Sequence, residues 1–128
     1  MNKKWQFVVV LSAVVGGVAA VGGQRAQLHN IMREKLVHTQ LILETVVTSD
    51  WASLEKHTED LERLTNDPRW MVLRYPESAR QSAAFVRALQ DLRLAAVKRD
   101  LEKTPLAYTE VILKCVECHR YMARARIA

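Results

Sequence analysis

The chain is 128 residues long, the length of one domain. Hydrophobic residues make up 49% of it and charged residues 26%, which can bury a core and excludes a disordered chain. All four glycines precede Gln24, so the rest of the chain lacks the turns of a β-sandwich or barrel and the loop of a phosphate cradle. An all-α body is the expectation.

The first residues are Met1-Asn2-Lys3-Lys4-Trp5-Gln6, followed by uncharged sequence from Phe7 to Gly23. Two lysines before an apolar stretch that ends in small residues have the form of a secretory signal, with cleavage expected near Ala20 or Gly23. The alternative is an uncleaved anchor over residues 5–23, since 17 uncharged residues reach the short end of a membrane span. Residues 1–23 are therefore assigned to targeting or anchoring, and 24–128 to one exported domain. Lysines on the inner side agree with that orientation.

Four periodic stretches follow. In the first, from Gln24 to about Thr48, Leu28, Ile31, Met32, Leu36, Leu43, Val46 and Val47 recur at three and four. Ser49-Asp50 supplies an N-cap for the second, in which Trp51, Leu54, Thr58 and Leu61 share a stripe. That helix is expected to stop at Thr65-Asn66-Asp67-Pro68. After a loop through Tyr75-Pro76, the third runs from about Glu77 to Arg99, with Ser82, Phe85, Leu89, Leu92 and Ala96 on one side. Thr104-Pro105 is read as the cap and first residue of the fourth. Tyr108, Val111, Ile112, Cys115, Cys118, His119 and Met122 lie on its broad face. Short connections between helices of similar length predict an antiparallel, up-down-up-down four-helix bundle.

The two cysteines fall in Cys115-Val116-Glu117-Cys118-His119, the attachment pattern of a c-type haem. Thiols at this spacing reach the two vinyl groups of one porphyrin, and the adjacent imidazole becomes an axial ligand of the iron. Three other readings fit less well. A reactive dithiol wants its first cysteine at a helix N-terminus after a strand. A zinc site wants four ligands, and a disulfide between i and i+3 of a continuous helix is sterically poor.

With this motif near the end of the last helix of a small exported bundle, the chain resembles the cytochrome c′ family. The resemblance covers residues 24–128 in architecture and is specific at Cys115 to His119. It implies one covalent haem c per chain, with His119 as the proximal ligand and either an open distal face or a methionine opposite. Where the family often carries an aromatic residue and an arginine, three and four after the histidine, this chain has Met122 and Ala123. Arg120 and Arg124 are the candidate propionate contacts in their place.

Bundle geometry selects the distal candidate. If residue 25 is level with residue 125, His119 is level with about residue 31 at 1.5 Å per residue. Met32 is the thioether nearest that level, on an inward stripe with Leu28 and Leu36. Met71 is the second candidate, from the loop between helices two and three. Trp70 and Tyr75 of that loop are expected to shield the porphyrin. His29, His38 and His57 are assigned solvated or capping roles.

These readings predict a periplasmic one-electron carrier and not an enzyme, since no catalytic constellation is visible. A five-coordinate haem protein binding nitric oxide or carbon monoxide is the first alternative, and a membrane-tethered subunit with a structural haem the second. Arg69 to Arg126 holds twelve bases against six acids, which suits an acidic redox partner. Nucleic acid is not expected, membrane contact is confined to the N-terminal segment, and a homodimer is allowed.

Overall fold

The computed structural model describes residues 3–69 and 75–125, with side chains from Gly22 onward. It contains helices α1 (Lys3–Thr48), α2 (Trp51–Thr65), α3 (Pro76–Val97) and α4 (Lys103–Arg124), and no strand among the described residues. Each helix packs on the next in sequence, and α4 returns to α1 along a much slimmer seam. This is the expected up-down-up-down bundle. The stretch from Gln24 onward continues a helix that begins at Lys3. Among the described residues, no helix is long and apolar enough to cross a membrane.

The helix boundaries follow from local chemistry. Ser49 turns the chain with a left-handed φ of 56°, and the Asp50 carboxylate accepts the Ser53 N–H at 3.2 Å, capping α2 as expected. Pro76 opens α3 at a position whose N–H has no helical partner to lose. The start of α4 departs from expectation. Thr104 is not the cap: it is buried inside the helix, and its hydroxyl donates to the Asp100 carbonyl at 2.6 Å. Asp100 takes the capping role, its carboxylate accepting the N–H groups of Glu102 and Lys103 at 3.2 and 2.9 Å. Pro105 then falls within the first turn of α4, where proline is tolerated.

The core joins Ile42 of α1, Leu54 and Leu61 of α2, Phe85, Leu89, Leu92 and Ala96 of α3, and Val111 of α4. The stripes expected on α2 and α3 are buried except at Trp51 and Ser82, which are half-buried. On α1 the expected inward stripe is displaced. Leu36 is 57% exposed, and the buried positions are Ile31, Thr39, Ile42 and Thr45. Neighbouring helix positions differ by 100°, so one step exchanges the core face for the face beside α4. Threonine hides this pattern from a count of apolar residues. The Thr39, Thr58 and Thr65 hydroxyls donate to the carbonyls four residues back at 2.7, 3.0 and 2.9 Å. Satisfied in this way, a threonine can occupy a core position.

Polar contacts also tie the helices to one another. Gln90 donates to Glu62 at 3.0 Å between α3 and α2, and the Tyr108 hydroxyl donates to the Thr39 carbonyl at 3.3 Å between α4 and α1. Chemical denaturation should rank these features. Leu92→Ala is expected to cost about 2–5 kcal/mol, as a fully buried leucine, and Asp50→Ala clearly less, as a lost cap at an exposed helix end. An Asp50→Ala loss equal to or above that of Leu92→Ala would contradict this ranking.

Candidate functional site

Helix α4 offers its neighbours two different faces. Val111 and Met122 are buried, and the Ser78 hydroxyl of α3 donates weakly to the Met122 sulfur at 3.9 Å. Ile112, Cys115 and Cys118 turn toward α1 and line a cavity of about 400 Å³. That volume lies within the usual range for small-molecule and cofactor sites. Met32 and Leu36 form the α1 wall and Phe85 of α3 the floor. The exposure of Leu36 is explained by this position, since its side chain faces the cavity instead of the core.

Both cysteines are free thiols and half-buried, while His119 is exposed at the rim. The spacing of three brings Cys115 and Cys118 to one side of the helix, and both open into the cavity. Burial pushes both thiols above the ordinary cysteine value, opposed by the positive charge of Lys35. Lys35 is the site residue that the apolar pattern missed. It lies at core spacing between Ile31 and Thr39, with Nζ 4.0 Å from the centre of the Phe85 ring, an arrangement in which the ring face attracts the cation. Burial lowers its pKa to about 8, against the opposing pull of the two cysteines. A lysine on a buried helical stripe was the available signal.

The expected site residues divide. Cys115, Cys118, His119 and Met32 line one cavity. The Tyr108–Thr39 contact ties α1 to α4, and Met32 on α1 faces the same cavity as His119 on α4. Arg120 and Arg124 are exposed and lie outside the lining, whereas Arg33 and Lys35 belong to it. Tyr75 is the N-terminal flank of α3, 51% exposed and away from the cavity. Trp70 and Met71 lie outside the described residues. His29 reaches the cavity rim, while His38 and His57 meet each other on another face of α1.

No protein-family model and no curated protein sequence matches the chain. Among solved structures, its fold is similar to one titled cytochrome c′, with a TM-score of 0.60. The two share 20% sequence identity over 81% of this chain and 94% of that one. At that identity the likeness is one of fold: a four-helix, all-α bundle.

Lys35 gives the site a signature in stability. Its pKa is lower in the folded chain than in the unfolded one, so folding releases a proton between pH 8 and about 10.4. Wild-type stability therefore gains from this group as pH rises through that window, and below pH 8 the cost of burying the charge is fully present. Lys35→Met is expected to raise stability at pH 7 by on the order of 1 kcal/mol, and the difference should shrink above pH 8. Denaturant titrations of both chains across pH 6–10 measure it, and a constant difference would remove the buried-charge account.

Proposed function

We propose that the chain is a c-type cytochrome that carries single electrons outside the cytoplasm. The observation that carries this reading is the convergence of Cys115, Cys118, His119 and Met32 on one largely apolar cavity. Their chemistry fits a covalent haem. Two thiols on one helix face would anchor the group, the neighbouring imidazole would be a ligand to its iron, and a thioether lies on the α1 wall of the same cavity. When bound, the group supplies an iron centre that exchanges one electron without substrate chemistry.

The chain's own residues provide the surroundings. Leu36, Phe85 and Ile112 give the cavity an apolar lining, and an apolar surround favours the less charged oxidation state. Arg33 and Lys35 bring positive charge to the same cavity and would hold the carboxylates of the group, the role that the sequence suggested for Arg120 and Arg124. Met32 is the distal candidate on the α1 wall, a soft neutral donor that favours ferrous iron. The lysine-led apolar segment is the basis for an exported location, and the basic second half of the chain for an acidic redox partner. The reading is of a carrier and not an enzyme.

Two measurements test it. Cys115→Ser with Cys118→Ser should abolish haem that survives denaturing electrophoresis, and covalent haem retained in that double variant would overturn the attachment. The reduced wild-type protein should show a low-spin spectrum insensitive to carbon monoxide, and Met32→Ala should convert it to high-spin with a lower potential. A high-spin wild-type spectrum that shifts with carbon monoxide would replace electron transfer by gas binding.

A further inference from the structure

We propose that His38, His57 and Asp60 form a binding site for one divalent transition-metal ion of the zinc class. The site lies on the seam between α1 and α2, separate from the cavity that opens between α1 and α4. Its donors come from two helices: His38 from α1, and His57 with Asp60 at a spacing of three on one side of α2.

Three observations support the assignment. One ligand atom from each of the three residues lies within 4.8 Å of the other two. In a tetrahedral site with metal–nitrogen bonds of about 2.1 Å, donor atoms stand about 3.4 Å apart. Side-chain rotation of roughly an ångström therefore closes the shell. Secondly, Nδ1 of His38 and Nδ1 of His57 are buried, and neither has a hydrogen-bond partner among the described residues. A buried ring nitrogen with no partner is costly, and a metal ion is one of the few groups that two adjacent imidazoles can share, their ring centres being 5.6 Å apart. Thirdly, Asp60, only 8% exposed, brings a carboxylate to the same cluster, and a carboxylate oxygen completes the two-imidazole donor set that zinc-class ions accept.

The charges facing the cluster set its chemistry. Burial holds His38 below the ordinary histidine value, with Lys56 and His57 acting in the same direction and Asp60 and Glu34 against it. Burial thus favours the uncharged imidazole, the form that ligates a metal. Lys56 pairs with one oxygen of Asp60 at 2.8 Å, and Arg63 with the other. Both bases have side chains more than 70% exposed and can swing into water when the carboxylate turns to the ion. A cleft of about 410 Å³ opens to solvent at two of the three residues, His38 and Asp60. Two imidazoles and one carboxylate leave the fourth position of a zinc-like ion to water.

The test uses the full-length protein after chelator treatment, with Zn2+ as the probe in isothermal titration calorimetry. One ion per chain is expected. His38→Gln and His57→Gln should each weaken binding at least about tenfold, with the far-ultraviolet helix signal unchanged, and zinc should raise the thermal midpoint of the wild type but not of these variants. Cys115→Ser with Cys118→Ser should leave the affinity unaltered, which separates this site from the thiols. Lys56→Gln, an exposed change outside the ligand set, should tighten binding severalfold by freeing an Asp60 oxygen. Absence of binding, binding that follows the thiols, binding unaffected by the histidine variants, or no gain in Lys56→Gln would each overturn the site.

Discussion

One helix has to serve two environments. Helix α4 holds the bundle together through Val111 and Met122, and presents Cys115 and Cys118 to a space that α1 must leave open. Both demands are met because α3 packs against α4 along most of its length while α1 touches it sparingly. A symmetric bundle would close this seam with interdigitated side chains and would have no cavity. The position of α1 therefore governs the site: how far it stands from α4 decides the volume, and which of its faces turns inward decides the lining.

That division explains the unusual composition of α1. On the core side it uses Ile31 and Ile42 with threonines that satisfy themselves. Toward α4 it carries Met32 and Leu36. Lys35 lies between these two faces, its charge lodged over the Phe85 ring. A charge beside two thiols has reciprocal effects: it favours their ionised form, and they favour its protonated form. The seam toward α2 is polar instead, with His38 and His57 in contact and Asp60 nearby. One helix thus borders a hydrophobic core, a cofactor-sized cavity and a cluster of metal-binding groups.

Most of the fold was legible in the sequence because the signals on α2, α3 and α4 are local. Asp50, Pro68, Pro76 and the stripes through Leu61 and Leu92 act over one or two turns, and the structure follows them. The motif at Cys115–His119 was legible for the same reason, since its chemistry is contained in five residues. The face of α1 was harder to read. Threonine reads as polar in a hydropathy count and yet fills the core at Thr39 and Thr45, which moved the inferred stripe by one residue. The cap of α4 was misplaced because Asp100 reaches two N–H groups from further back than Thr104. The pairing of His38 with His57 carries no sequence signal, because it depends on the rotational setting of two separate helices.

That setting is held by a connection of two residues, Ser49 and Asp50. A left-handed residue that is not glycine restricts the turn to few shapes, so the hairpin of α1 and α2 behaves mechanically like a keyed coupling. Lengthening it by one residue while α2 kept its own helical geometry would rotate that helix by about 100° relative to α1. Leu54 and Leu61 would leave the core together, and His57 would turn away from His38. Packing and imidazole pairing are thus coupled through one turn, so drift in its length is restrained even though neither residue of the turn lines the thiol cavity or supplies a donor to the histidine cluster.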